Sequence, residues 1–192
     1  MLRHATPERV CAFSDGVFAV LITVLVLDLR PPAQPTFTAL LALWPIWLSY
    51  AVSYLFIAIV WINHHYLLRY AKEATPGLLW FNFAHLFSMS LLPLATSWMA
   101  TSELAGPPVA FYAGVFFLVN VTYVLLIREL IGGARFARIR RVMRWRSFVT
   151  LGLFGAAAII ALWVPLAGLA ICIGCLIFYL KPEPFDDAMA AR

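Results

Sequence analysis

Apolar residues dominate five long runs, separated by short breaks rich in charge, proline and glycine. The first run, Arg9 to Leu29, opens with R-V-C-A-F-S-D and continues almost wholly apolar. Thr6 is placed as a helix N-cap and Pro7 as a first helical residue, where a missing N–H costs nothing. Pro31-Pro32 forbids continuation. A helix between those marks is about 30–35 Å long at 1.5 Å per residue, enough to cross a bilayer. The second run, Phe37 to Leu68, holds Pro45 beside Trp44 and Trp47 and ends in W-I-N-H-H-Y. The tryptophans read as an interfacial anchor, and Pro45 as a kink or a first-turn residue. The third, Leu78 to Ala100, carries Asn82, His85, Ser88, Ser90, Thr96 and Ser97. It is too polar to face lipid, is expected among neighbouring helices, and should kink at Pro93. The fourth is Val109 to Ile131, ended by Gly132-Gly133. Phe148 to Leu180 is apolar throughout. One helix there would be about 50 Å long, too much for a core of about 30 Å, and Trp163-Val164-Pro165 lies midway. The run is therefore read as two short helices. The pattern predicts an all-α integral membrane protein with six transmembrane helices, at about 7–29, 37–68, 78–100, 109–131, 147–163 and 166–180. They form one domain over 1–182, with a short tail at 183–192.

Composition fixes the class. The chain has 192 residues, 64% of them hydrophobic and 12% charged, with mean hydropathy +0.89; a soluble domain of this size does not look like that. A cleaved signal peptide is not expected, because the first run is too long, carries Asp15 and lacks an A-x-A-like exit. The net charge of +5 does not point to nucleic acid, since the basic residues sit between apolar runs. With six spans and the N-terminus inside, the inner segments hold Arg3, Arg9, Arg69, Lys72, Arg128, the block Arg135, Arg138, Arg140, Arg141, Arg144 and Arg146, then Lys181 and Arg192; only Arg30 lies outside. That bias predicts a multi-pass protein of the cell's inner (plasma) membrane with both termini cytoplasmic. The block from Arg135 to Arg146 is either an amphipathic helix against anionic lipid or, as the simpler reading, a solvated loop.

Four sets of residues invite chemistry. A carboxylate at membrane depth costs roughly 2.5–3.5 kcal/mol on insertion scales, so Asp15 should have partners. Arg9 and Ser14 are near in sequence; Trp61, His64, His65 and Asn82 lie towards the same membrane face. A polar cluster tying helices together is the expected result, as a structural network or with a transport duty. Val20, Thr23 and Leu27 share one face of the first helix, within about 60°. From periodicity alone that stripe is ordinary core, with the threonine hydroxyl bonded to its own helix. Adjacent His64 and His65 point about 100° apart and cannot share an ion, so no metal is expected there. Cys172 and Cys175 spell C-x-x-C inside an apolar segment and read as packing, not redox chemistry. No Ser/His/Asp arrangement or phosphate loop occurs, so neither an enzyme nor a cofactor is expected.

The R-x-x-x-F-S-D motif from Arg9 through Phe13 and Ser14 to Asp15, with G-V-F-A-V-L-I-T-V-L-V-L-D-L after it, resembles the prokaryotic relatives of the endosomal/lysosomal potassium channel, the transmembrane protein 175 family. W-I-N-H-H at Trp61 to His65 and S-L-L-P at Ser90 to Pro93 are similar as well. The resemblance implies a homotetramer of six-helix subunits, with the first helices lining a central pore and no T-V-G-Y-G filter. It implies that Val20, Thr23 and Leu27 form the narrow layers, Val20 standing where a larger aliphatic is usual. The motif would hold the first helix to its neighbours. Potassium is then the permeant ion, and the partners are further copies of the chain and membrane lipid. A proton-coupled secondary transporter and a non-conducting membrane scaffold are the alternatives.

Overall fold

The computed structural model describes residues 6–131 and 137–179, with the backbone alone for 137–139. The expected tail at 183–192, Arg135, and the side chain of Arg138 lie outside the described residues. Those residues form eight helices and no strand: α1 (Pro7–Leu27), α2 (Phe37–Ala42), α3 (Trp44–Leu68), α4 (Pro76–Ser90), α5 (Leu92–Thr101), α6 (Gly106–Leu130), α7 (Ala137–Ala161) and α8 (Pro165–Tyr179). Four stretches are long and apolar enough to cross a membrane: α1, α3, α6 and α4 with α5 taken together.

Helix starts follow local chemistry. The Thr6 hydroxyl accepts from the Arg9 N–H at 3.4 Å, with Pro7 in the first turn of α1. Thr75 does the same for Leu78 at 3.0 Å before Pro76, and Thr36 for Ala39 at 3.2 Å before α2. Each side-chain oxygen satisfies an N–H that has no partner within the helix. Pro107 and Pro108 lie inside the first turn of α6, which therefore begins before the apolar run that starts at Val109.

Two predicted spans are divided. The run from 37 to 68 breaks at Leu43, and Pro45 lies in the first turn of α3. The run from 78 to 100 becomes α4 and α5 on either side of Leu91, with Pro93 in the first turn of α5. In both, proline has no N–H to give to a preceding turn, so the helix ends and restarts instead of bending smoothly.

The basic block departs most from expectation. It is not a solvated loop: α7 begins at Ala137, ten residues before the predicted 147. The buried positions Met143, Ser147, Thr150, Phe154, Ala157 and Ala161 run at alternating spacings of four and three through the block into the apolar stretch, giving one continuous face. Arg140 donates from Nη1 to the Ile131 carbonyl at 3.1 Å, holding the free C-terminal end of α6. Arg146 stacks over the Tyr179 ring at 4.9 Å and the Phe178 ring at 5.3 Å. These contacts draw the arginines along a packed helix, while Arg141, Trp145 and Phe148 face outwards.

The core centres on α6, which packs against α3, α4, α5, α7 and α8. Phe56 and Phe116 stack at 3.6 Å between ring centroids, and Phe154 meets Phe116 edge-on at 5.4 Å. Hydroxyls reinforce the packing: Ser53 pairs with Thr96 at 2.7 Å and with Tyr112 at 2.8 Å, and Asn120 donates to Thr150 at 2.5 Å. In the first turn of α8, Gly168 sits so close to α7 that a Cβ there would lie 2.7 Å from both the Ala157 carbonyl oxygen and the Ala161 Cβ. Gly168→Ala is therefore expected to cost roughly 1–3 kcal/mol by overpacking. Thermal unfolding in detergent measures this, and an unchanged Tm would contradict the close α7–α8 crossing.

Candidate functional site

α1 has two faces of opposite character. Val10, Ser14, Phe18, Leu21 and Leu25 recur at spacings of four and three and are buried against the rest of the chain. Phe18, Leu21 and Leu25 join the main core, where α1 meets α3, α4 and α5. On the other side Val20 is 58% and Leu27 77% exposed, with Thr23 exposed between them. The stripe is thus not core of this chain, the reading that periodicity alone favours. The Thr23 hydroxyl donates to the Val20 carbonyl at 2.8 Å. Its proton is committed to the helix, and its oxygen keeps lone pairs directed outwards.

Near the start of α1 the predicted anchoring residues separate into two groups. The buried group is a directed chain of hydrogen bonds through three helices. His64 on α3 donates from Nε2 to Asn82 Oδ1 at 2.8 Å. Asn82 on α4 donates from Nδ2 to Ser14 Oγ at 3.0 Å. Ser14 on α1 donates to the Val10 carbonyl at 2.8 Å. The His64 ring is tilted against Phe18 at 5.4 Å and stacks on His85 at 5.5 Å. His85 Nδ1 meets Thr122 Oγ1 at 2.9 Å, so the cluster extends to α6. His85 and Asn120 are among the residues lining a cavity of about 50 Å³, large enough to hold a water.

The second group is half-buried, one residue further along α1 and therefore turned by about 100°. Trp61 Nε1 donates to Asp15 Oδ1 at 2.8 Å. The Cys11 thiol lies 3.7 Å from Asp15 Oδ2 and 3.7 Å from His65 Nδ1. The Arg69 guanidinium reaches His65 Nε2 at 3.5 Å. Of the candidate partners of Asp15, only Trp61 bonds to it directly; His64 and Asn82 hold Ser14 instead. Phe13 is exposed but meets Phe83 edge-on at 5.7 Å. Arg9 is exposed at the helix start and stands apart from both groups.

Sequence reading missed Cys11 and Thr122. Cys11 carried a usable signal, since it lies one turn before Asp15 and shares its face. Thr122 carried none, because its partners His85 and Ser88 come from α4. Cys172 and Cys175 are buried in the core as free thiols.

A sequence model of the family described as endosomal/lysosomal potassium channel TMEM175 matches residues 9–93. A protein of Chryseobacterium sp. (strain P1-3) named a potassium channel is 39% identical over 121 residues, 63% of this chain and 63% of that protein. The endosomal/lysosomal proton channel TMEM175 of Rattus norvegicus is 32% identical over 147 residues, 64% of this chain and 29% of that one. The chain spans less than two thirds of the length of these curated relatives. The fold matches the crystal structure of a lysosomal potassium-selective channel TMEM175 homolog from Chamaesiphon minutus. The TM-score is 0.81 at 25% identity, covering 91% of this chain and 96% of that one.

The division of the anchor into two groups gives a ranking. Ser14→Ala removes the acceptor of a buried amide, so it is expected to cost about 1–3 kcal/mol. Asp15→Asn keeps an oxygen for Trp61 at a half-exposed position and should cost less, while Asp15→Ala loses that acceptor and should fall between them. Thermal unfolding and folded yield read the order; Asp15→Asn proving worse than Ser14→Ala would reverse the assignment.

Proposed function

We propose that the chain, which is similar over residues 9–93 to the endosomal/lysosomal potassium channel TMEM175 family, is the subunit of a potassium-permeable cation channel. Four copies surround a central pore lined by α1, and ions pass down their electrochemical gradient. The observation that carries this reading is the outward stripe on α1. Val20, Thr23 and Leu27 are among the residues that the rest of the chain leaves uncovered on this helix, Leu27 the most exposed of its large apolar side chains, and four-fold assembly turns each into a ring.

Aliphatic rings at Val20 and Leu27 offer a cation no ligands, so passage there requires partial dehydration and a hydrophobic constriction can also gate by dewetting. Sodium holds its water more tightly than potassium and is disfavoured more. The Thr23 ring, one turn from each barrier, contributes oxygen lone pairs, because each hydroxyl proton is held by the Val20 carbonyl. Modest selectivity follows without a carbonyl filter.

In this reading α7 and α8 are the fifth and sixth spans, both termini are cytoplasmic, and the protein resides in the inner (plasma) membrane. Arg140, Arg141, Arg144, Trp145 and Phe148 line a shallow surface depression on α7. That combination of cations and aromatic rings suits anionic lipid at the cytoplasmic leaflet. Phe13, Ser14, Asp15, Trp61, His64, His65 and Asn82 serve to set α1 against its neighbours, while Arg9 stands outside that network.

The rat relative is named for protons, so conduction must be read for both ions. In planar bilayers with potassium on one side and sodium on the other, Leu27→Ala is expected to raise conductance and weaken discrimination against sodium. Thr23→Val, which removes the hydroxyl with little change of shape, should lower potassium preference and leave assembly intact. Unchanged conductance and reversal potential in both variants would return the stripe to lipid-facing surface. A reversal potential that follows an imposed pH gradient instead would make the proton the main permeant ion. Flux without single-channel steps would favour a transporter, and no flux a scaffold.

A further inference from the structure

The half-buried group at the start of α1 holds three different metal-ligating atoms within reach of one ion. Cys11 Sγ, an Asp15 carboxylate oxygen and a His65 ring nitrogen all lie within 4.8 Å of one another, contributed by α1 and α3. We propose that Cys11, Asp15 and His65 bind a thiophilic divalent cation of the zinc class, one per chain, and that the bound ion ties α1 to α3.

The distances fit that chemistry. Zinc takes sulfur at about 2.3 Å and imidazole nitrogen at about 2.0–2.1 Å, so the sulfur–nitrogen edge of its tetrahedron is about 3.6 Å. Cys11 Sγ and His65 Nδ1 are 3.7 Å apart, and Cys11 Sγ and Asp15 Oδ2 are also 3.7 Å apart. Those two edges need almost no rearrangement. Cys11 and Asp15 are four residues apart on one helix, which places both ligands on the same face.

Charge and orientation agree. A thiolate and a carboxylate neutralise a dication, which suits a site at a membrane helix surface, where a net charge is costly. The remaining Asp15 oxygen is fixed by Trp61 Nε1 at 2.8 Å, the kind of outer support that orients a ligating carboxylate. All three ligands are half-buried, so an ion has a path in and a fourth position stays open to water. Arg69 opposes binding from beside His65 Nε2, and metal on Nδ1 requires a proton on Nε2. The Arg69 side chain is exposed and has room to turn away from Nε2 when the ion enters. Soft sulfur selects against magnesium and calcium, which take oxygen.

The purified chain, free of any affinity tag, decides the matter without a measurement of conduction. Zinc added to metal-free protein is expected to bind at one equivalent per chain and to raise the Tm. Cobalt in its place should give a thiolate-to-metal charge-transfer band and tetrahedral visible bands. Cys11→Ser should abolish the charge-transfer band with Cys172 and Cys175 intact, and His65→Ala should weaken zinc binding at least tenfold. A cobalt spectrum that survives Cys11→Ser, zinc binding indifferent to both substitutions, or no rise in Tm would overturn the proposal. If His65→Ala fails to fold, Cys11→Ser carries the test alone, because serine preserves the size of the side chain.

Discussion

The structure depends on one buried amide. Asn82 is 3% exposed and stands where α1, α3 and α4 meet. Each of its roles is fixed by a neighbour: its oxygen takes the His64 proton and its nitrogen gives one to Ser14, whose own proton ends on a carbonyl. Helices in lipid gain little from hydrophobic association, since lipid tails are as apolar as leucine. Polar pairs that have no good alternative partner therefore do much to set which residues meet. A slip of one residue along α1 would turn Ser14 away by about 100° and leave the Asn82 nitrogen without an acceptor.

That constraint matters most for α1 because it has the least packing of the four stretches long and apolar enough to cross a membrane. Of its apolar stretch 28% is buried, against 56% for α6. Phe18, Leu21 and Leu25 fill the core on one side, and the hydrogen-bond chain fixes rotation at one end. Together they determine which residues are left to face outwards. Ser14 and Leu25 belong to the same buried face, so the orientation of Thr23 and Leu27 follows from the anchor more than from any contact of their own.

Much of this was legible in the sequence because membrane burial leaves a coarse pattern. Long apolar runs, proline breaks and caps such as Thr6-Pro7 gave the helix order, and Ser14, Asp15, Trp61, His64 and Asn82 could be gathered at one end before any coordinates. Pairing within that group was not legible. Ser14 and Asp15 are adjacent, and which of them takes Asn82 depends on the rotation of α1, set by Phe18 and Leu21 against residues far away in the chain. The basic block was misread for a similar reason. Six arginines in twelve residues look solvated, yet Met143, Ser147 and Thr150 continue the buried period of Phe154, Ala157 and Ala161 back into it. Charge density hid a periodicity whose partner face is supplied by α6 and α8.

The anchor and the stripe share a helix but not an environment. From Asp15 to Val20 is about 7–8 Å along the axis, and to Leu27 about 18 Å, at 1.5 Å per residue. The polar ties therefore lie at one end of α1 and the exposed aliphatic residues towards the other. Between them the helix has no proline, and Gly16 is its only glycine. It can carry a rotation imposed at the anchor through to the stripe largely as a rigid rod. A position such as Thr23, whose proton is bound within α1 itself, then needs no support from other side chains to present its oxygen outwards. The chain thus separates two tasks: buried polar pairs choose the orientation of α1, and the residues left uncovered by that choice are available to another surface.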